Sequence, residues 1–275
     1  MNLSAEQLRR YDADGFLILP GLLSPAEVEV LRLETRRLSE LESDLIKRER
    51  NGAVRSIFRS HEADGATTSE AFHALARIPR MLGPATQLLR DRQLYIFHSK
   101  INVKPAFEGT IWAWHQDYGT WEKDGVPTSN MTTALVMLDQ AEEIGGALYF
   151  IPGSHQRGNL EHIEDRGVGA LNQYSVRRDL LRSVLESRRP VPVIGPPGTV
   201  AFFHAQIVHG SGHNMSAGDR RQAYLVYNAV ANKSLPVPNP RGDHVRSQNF
   251  APLRSMDDAA ILAAGARLPH ETVKA

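Results

Sequence analysis

The pattern of hydrophobic and polar positions changes its period near residue 92. Before that point the chain is predicted to be mainly helical. Two capping boxes, Ser4 with Gln7 and Ser24 with Glu27, mark helix starts, and apolar positions across 26–42 recur at helical spacing. Between the two helix starts, the short apolar run 16–20 is bounded by turn residues and predicts a buried strand.

After residue 92 the chain is a series of short β-rich runs, several of them separated by glycine and proline turns. The runs are 94–103, 110–117, 131–138, 147–152, 199–204 and 222–230. Many short strands at this spacing predict a jelly roll or barrel. The expectation is therefore a mainly β fold with flanking helices.

The whole chain, 1–275, is predicted to be one domain. Its mainly helical N-terminal part is 1–92, and its jelly-roll core is formed by 93–155 and 190–235. The segment 156–189 interrupts the strands, is charged and has a partly helical pattern. It is too long for a plain hairpin loop, and it is interpreted either as a flap over a site or as a solvated surface insertion.

Composition narrows the classes of function. The 32 basic and 31 acidic residues nearly cancel, so neither nucleic acid nor an anionic membrane is an expected partner. The absence of cysteine excludes disulfides, thiolate zinc sites, cysteine-bound iron–sulfur clusters and a cysteine nucleophile, so a metal would be held by His, Asp or Glu. No signal peptide and no apolar run of about 18 residues are present, which predicts a cytoplasmic protein.

His115 and Asp117 are the strongest chemical signal in the sequence. Residues i and i+2 of a strand project from the same face, so both side chains could bind one ion. A distant histidine would complete the two-histidine, one-carboxylate arrangement that leaves positions open on Fe(II). A second His-x-acid pair, His162 and Glu164, lies in the charged insertion without strand alternation and is interpreted as a solvated pair.

Four histidines are candidates for the third ligand: His155, His204, His209 and His213. His209 is favoured because it closes a predicted strand pair, 199–204 with 207–209, and precedes a glycine that allows close approach of the backbone. His155 and His204 are interpreted as structural or surface residues. His213 is a candidate for supporting the ligands indirectly.

Arg220 follows His209 by eleven residues. Its planar guanidinium matches a carboxylate bidentately, as a site for the far end of a dicarboxylate cosubstrate requires. Within 94–104, the alternate residues His98, Lys100, Asn102 and Lys104 form a polar strand face. That face is compatible with a site and equally with solvent.

Taken together, these residues resemble the phytanoyl-CoA dioxygenase-like family of Fe(II)/2-oxoglutarate oxygenases over nearly the whole chain. The resemblance is carried by Trp114-His115-Gln116-Asp117, by Ile151-Pro152-Gly153-Ser154-His155, and by His209-Gly210-Ser211 with Arg220. Within the family, the chain is most similar to the ectoine hydroxylase subgroup, notably in 101–109 and at Tyr227-Asn228-Ala229-Val230.

The resemblance implies a double-stranded β-helix in which His115, Asp117 and His209 hold Fe(II). It also implies that Arg220 binds the C5 carboxylate of 2-oxoglutarate and that Asn102 and Ser216 assist in binding it. The implied activity consumes O2, converts 2-oxoglutarate to succinate and CO2, and hydroxylates a small-molecule substrate. The retained Asp117 argues against the halogenase variant, in which the carboxylate is replaced.

The departures from the ectoine hydroxylase subgroup concern the substrate. That subgroup has one more residue between Trp121 and Asp124, a Phe-Glu pair where Tyr118-Gly119 stand, and a glutamine where His98 stands. These differences argue against ectoine itself. The polar strand face and the Tyr and Trp residues favour an amino-acid-like metabolite, a compatible solute or a similar zwitterion. His98, Tyr118 and Trp121 are the expected substrate contacts, although Trp121 could equally be a core aromatic.

Two alternatives stay open: a natural-product tailoring oxygenase of the same family, and a metal-binding cupin-like protein without redox chemistry. Arg220 argues against the cupin-like protein, because a protein without redox chemistry has no need of a residue that binds 2-oxoglutarate. The sequence leaves the oligomeric state open, a homodimer included.

Overall fold

Two facing antiparallel sheets, a separate hairpin and seven α-helices make up residues 1–165 and 173–268, the part of the chain that this computed structural model describes. The helices are α1 (Ala5–Asp14), α2 (Pro25–Ser39), α3 (Glu70–Leu75), α4 (Pro79–Leu89), α5 (Tyr118–Trp121), α6 (Arg178–Ser187) and α7 (Ala260–Gly265). The strands are β1 (Phe16–Leu19), β2 (Ile46–Arg48), β3 (Val54–Phe58), β4 (Leu94–Lys104), β5 (Trp112–His115), β6 (Met131–Met137), β7 (Leu148–Phe150), β8 (His162–Asp165), β9 (Gln173–Val176), β10 (Val191–Val193), β11 (Val200–His204), β12 (His209–Ser211) and β13 (Arg220–Ala229). No helix in these described ranges combines the length and the apolar character needed to cross a membrane.

Both predicted capping boxes are confirmed. The Ser4 hydroxyl accepts from the Gln7 backbone N–H, and the Gln7 side chain accepts from the Ser4 backbone N–H. Ser24 and Glu27 make the same reciprocal pair at the start of α2. Each pair satisfies backbone donors that have no partner inside the helix.

The strands form a double-stranded β-helix. The large sheet has the order β1-β11-β6-β13-β4-β3-β2, and the small sheet has the order β10-β7-β12-β5. Successive strands of the core pass between the sheets, as in a jelly roll. Large apolar side chains from both sheets, among them Phe16, Phe150 and Phe203, fill the space between them. The helices cover the outer face of the large sheet with a second, larger core.

Each of the six predicted β-rich runs contains a strand or overlaps one, and β1 lies within 16–20; β4 extends one residue beyond its run and β13 begins two residues before its run. The hairpin of β2 and β3 was not predicted. It extends the edge of the large sheet beside β4, so this sheet recruits residues from the predicted helical part, 1–92. Its short strands carry basic residues at 47, 48 and 55, which hide the alternation that would reveal them.

The segment 156–189 contains the hairpin β8–β9 and helix α6, and its residues 166–172 lie outside the described part of the chain. Val176 and Val184 from this segment are buried against Ile151 and Val208, with Trp114 of β5 at the margin. The described part of the insertion is therefore packed on the outside of the small sheet rather than fully solvated.

Candidate active site

Strands β5 and β12 bring two distant histidines together. They pair antiparallel with His209 directly opposite His115. Gly210 allows this approach, because a Cβ at that position would stand 2.9 Å from the Trp112 carbonyl oxygen. The predicted pairing of 199–204 with 207–209 is wrong, since β11 lies in the large sheet and β12 in the small one. His209 nevertheless reaches the site, because the chain crosses from the large sheet to the small one between His204 and His209.

The side chains of His115, Asp117 and His209 converge on one point. The Nε2 atom of His115 lies 3.8 Å from Asp117 Oδ1, and His209 Nε2 lies 4.0 Å from Asp117 Oδ2. The three potential ligand atoms all lie within 4.8 Å of one another. Two imidazoles and one carboxylate on one side of a point form a facial set suited to non-haem Fe(II).

Hydrogen bonds fix which ring nitrogen faces that point. His115 Nδ1 lies 2.7 Å from the Ala113 carbonyl oxygen, and His209 Nδ1 lies 3.0 Å from that of Ile207. Because a carbonyl oxygen only accepts, each Nδ1 carries the proton, and each Nε2 lone pair is free for a metal. Burial lowers the pKa of His115 to about 3, and His209 beside it acts in the same direction. Both rings are thus held neutral, as ligation requires.

A cavity lies over these three side chains, between the two sheets, and together with its opening to solvent it comprises about 580 Å³. His98, Lys100 and Asn102 line it from β4, so the polar strand face looks into the site and not into solvent. Trp121 lines the cavity while also packing in the core against Phe97 at a centroid distance of 5.6 Å.

The floor of the cavity is formed by Asn102 and Tyr224, and Arg220 lies beyond it on the same face of β13. Arg220 stands opposite Lys104 in the β13–β4 pair, and each is only 2% exposed. The Nε atom of Arg220 and the Nε2 atom of Gln222 are buried without a hydrogen-bond partner. Unpaired buried donors of this kind are costly, and they fit a bound carboxylate.

Lys104 adds a second cation at this closed end. Its Nζ donates to the Ser211 hydroxyl at 2.8 Å and to the Gly212 carbonyl oxygen. Burial, together with repulsion from Arg220, lowers the pKa of Lys104 to about 6. An anion between the two side chains would relieve this repulsion, so the donors present fit the distal carboxylate of 2-oxoglutarate.

Two predicted contacts lie elsewhere. Ser216 bonds to Asn214 at 2.7 Å and to the Gly218 carbonyl oxygen at 3.1 Å, so it shapes a turn outside the cavity. Tyr118 is buried, and its hydroxyl donates to the Val126 carbonyl oxygen at 3.2 Å without lining the cavity. Neither side chain lines the cavity, because each makes a hydrogen bond to a nearby part of the chain.

The other histidines discussed above do not belong to the group of three converging side chains. The rings of His155 and His204 pack against each other in a tilted arrangement, with a centroid distance of 5.2 Å, and neither residue lines the cavity. His213 is exposed, and its Nδ1 atom lies 2.7 Å from the Gly109 carbonyl oxygen. His162 contradicts its interpretation as part of a solvated pair, because its Nε2 accepts from the Gln116 backbone N–H at 3.0 Å.

Sequence reasoning missed Arg241 and the site-facing role of Lys100. The Arg241 side chain lines the cavity and is held by Asp124, with contacts of 2.8 and 2.6 Å to one carboxylate oxygen. Arg241 lies outside any helix or strand, so no periodicity could single it out. For Lys100, the alternation within β4 was the available signal.

Comparison with known proteins decides the family. The sequence profile of phytanoyl-CoA dioxygenase (PhyH) matches residues 11–222. The chain belongs to this family. It is 31% identical to an ectoine dioxygenase of Bordetella parapertussis, over 94% of this chain and 88% of that protein. It is also 31% identical to an L-proline trans-4-hydroxylase of Streptomyces griseoviridis, over 90% of this chain and 94% of that protein.

Solved structures agree with this assignment. Crystal structures of EctD from S. alaskensis, one with 2-oxoglutarate and 5-hydroxyectoine and one with bound Fe, superpose with TM-scores of 0.80 at 31% and 29% identity. Each covers 93% of this chain and 88% of its own. This member of the PhyH family is an Fe(II)- and 2-oxoglutarate-dependent dioxygenase. The hypothesis of a cupin-like protein without redox chemistry is thereby set aside.

Proposed function

We propose that His115, Asp117 and His209 hold the iron of this PhyH-family hydroxylase and that its substrate is a small zwitterion carrying a carboxylate. The observation that carries the proposal is the arrangement along one strand face. His115, Asp117 and His209 line the cavity, and the buried basic side chains of Arg220 and Lys104 lie outside its lining, on the strands that carry Tyr224 and Asn102. When bound, iron and 2-oxoglutarate supply the oxidative decarboxylation that places one oxygen atom of O2 in a substrate C–H bond.

The chain orients 2-oxoglutarate through its buried donors. Arg220 and Lys104 hold the distal carboxylate, which pairs with the Arg220 guanidinium and favours the protonated form of Lys104. Asn102 lines the same wall, and its Oδ1 accepts from the Ser56 hydroxyl at 2.8 Å. With its Oδ1 used by Ser56 and its side chain beside Tyr224, the group that Asn102 can offer the cosubstrate is its amide N–H.

The wall of the cavity around Lys100 supports the substrate class. The Nζ atom of Lys100 lies 5.0 Å from the Trp112 ring centroid and 5.3 Å from that of Tyr224. Among the described residues, Lys100 makes no ion pair and no side-chain hydrogen bond, whereas Arg241 is held by Asp124. A cation that is free within a half-buried cavity favours an anionic group on the substrate.

His98 supports the same class with a polar contact. It is 8% exposed, lines the cavity, and its Nδ1 has no hydrogen-bond partner. Burial lowers the pKa of His98 well below its usual value, so it is a neutral ring. The relatives act, by their names, on ectoine and L-proline, which are small zwitterions. A cyclic amino acid or related solute would place its carboxylate near Lys100 and its ring against Trp121.

A metabolite screen tests this function. The enzyme is supplied with Fe(II) and 2-oxoglutarate and offered proline, other cyclic amino acids, ectoine and a long acyl-CoA, and succinate and hydroxylated product are both measured. We expect coupled turnover with a small zwitterion and none with the acyl-CoA, and no turnover in Asp117→Ala. Efficient turnover of the acyl-CoA would contradict the substrate class, and efficient turnover of ectoine would contradict the inference drawn from His98 and Tyr118-Gly119. Activity retained in Asp117→Ala would remove Asp117 from the metal centre.

A further inference from the structure

Gln116, the residue between His115 and Asp117, is completely buried and is bonded mainly to the insertion. Its side-chain Nε2 donates to the carbonyl oxygens of Gly158, at 2.9 Å, and Gln206, at 2.7 Å. Its Oε1 accepts from the Leu160 backbone N–H at 2.8 Å. Its own backbone N–H donates to His162 Nε2 at 3.0 Å. Three of these four partners belong to residues 158–162.

The ring of His162 also packs directly on the turn that follows the metal-binding motif. A Cβ added at Gly119 would lie 2.4 Å from His162 Cε1 and 2.5 Å from its Nδ1. Gly119 lies in α5, where the backbone is helical, so the residue is small because the imidazole occupies the space. A hydrogen bond and a close contact thus fix His162 against both ends of the segment 116–119.

Strand β5 needs such support because it is the edge strand of the small sheet. It pairs with β12 along one edge, and β9 of the insertion packs against it without joining the sheet. An edge strand has backbone N–H groups without a neighbouring strand to accept them. His162 accepts one of these, at the peptide that joins His115 to Gln116.

We propose that His162 is a positioning residue for the metal centre: the hairpin β8–β9 clamps Gln116 through it and thereby keeps His115 and Asp117 aimed at the same ion. The inference rests on the proposed function, since it takes these two residues as iron ligands. Residues that orient metal ligands change metal affinity by about 10- to 100-fold when removed. The role assigned to the insertion is therefore to set how tightly the enzyme retains iron.

Anaerobic titration of the full-length apoprotein with Fe(II) tests the clamp without measuring activity. The variants are His162→Ala, which removes the acceptor and the ring, and His162→Gln, whose amide oxygen can still accept from Gln116. A third variant, Gly119→Ala, displaces the ring by adding a Cβ. The matched control is Ile163→Ala, since Ile163 is the exposed neighbour on the same strand. The melting temperature of each apoprotein is measured in parallel.

We expect the Fe(II) dissociation constant to rise about tenfold or more in His162→Ala and Gly119→Ala. His162→Gln should stay within about threefold of wild type and Ile163→Ala should be unchanged. Wild-type affinity in His162→Ala overturns the inference even if its melting temperature falls, because the role is then only structural. Equal losses in His162→Gln and His162→Ala also overturn it. If wild type binds Fe(II) no better than Asp117→Ala, the proposed metal site itself fails, which is a separate result.

Discussion

Arg220 and Lys104 face each other across the β13–β4 pair, and both are buried. Within residues 1–165 and 173–268, no carboxylate forms an ion pair with either side chain. Burial and the neighbouring Arg220 lower the pKa of Lys104 to about 6, so the Lys104 amine is mostly neutral at neutral pH until an anion joins the two side chains. The donors of both side chains fit the distal carboxylate of a dicarboxylate cosubstrate.

Replacing Arg220 separates cosubstrate binding from metal binding. We expect Arg220→Ala to weaken 2-oxoglutarate by roughly 1.5–3 kcal/mol, or at least tenfold in its dissociation constant, because a charge-assisted bidentate contact is lost. Fe(II) affinity should stay the same. Calorimetric titration of both ligands measures the two effects. Arg221→Ala is the control, since Arg221 is paired with Asp139 at 2.7 and 2.8 Å; a larger effect there would show that Arg220 is the wrong residue.

The low pKa of Lys104 predicts a pH-dependent cosubstrate affinity. With a pKa of about 6 in the free protein, Lys104 is mostly neutral at pH 8 and must take up a proton to pair with a carboxylate. The dissociation constant of 2-oxoglutarate should therefore fall as the pH is lowered from 8 towards 6 and level off below 6. Titrations at several pH values measure this slope. In Lys104→Met the slope should be lost, and an unchanged slope would assign the proton to another group.

Arg241 is expected to act on the substrate and not on 2-oxoglutarate. Arg241→Lys keeps the charge but loses the planar fork that Asp124 holds. We expect the KM for the substrate that becomes hydroxylated to rise about tenfold, while the KM for 2-oxoglutarate changes little. Steady-state kinetics with each substrate varied in turn separates the two. The exposed Arg254, changed to Ala, serves as control, and an equal rise in both KM values would place Arg241 in the cosubstrate site.

His61 should make folding sensitive to acid. It is 5% exposed, its Nδ1 lies 2.6 Å from the Ser99 hydroxyl, and burial, with Arg77 adding to it, lowers its pKa to about 3. Since a histidine in the unfolded chain has a pKa of about 6.5, the unfolded state binds more protons between these values. Stability is thus lost as the pH falls through this window, by up to about 1.4 kcal/mol per pH unit.

Urea unfolding at pH 7 and pH 5 measures that contribution. Between pH 7 and pH 5 we expect the free energy of unfolding to fall by about 2 kcal/mol less in His61→Asn than in wild type. The reason is that the pH range from the unfolded-state pKa of about 6.5 down to 5 spans about 1.5 units. The comparison of slopes holds even where the variant is less stable at both pH values. Equal losses would show that His61 is protonated in the folded state.

The sequence by itself determined the features that depend on local backbone geometry. Ser4 and Ser24 mark helix starts because the oxygen of each side chain accepts from the backbone N–H three residues later, which has no partner inside the helix. The two-residue spacing of His115 and Asp117 predicted that their side chains meet on one side, and they do, although β5 ends at His115 and Asp117 has helical backbone angles at the start of α5. The alternation from His98 to Lys104 likewise showed that one face is polar, although not what covers it.

The tertiary structure decided which distant residues meet. His162 lies 46 positions from Gln116, and Arg241 lies 117 positions from Asp124. No periodicity or residue spacing in the sequence predicts either of these contacts. The same holds for Lys104 and Arg220. They lie opposite each other because of the register between β4 and β13, and between these two strands the chain passes through the other sheet. Local periodicity follows from the dihedral angles of neighbouring residues, whereas these contacts follow from the order in which the strands pack, and that order is set by the burial of the whole core.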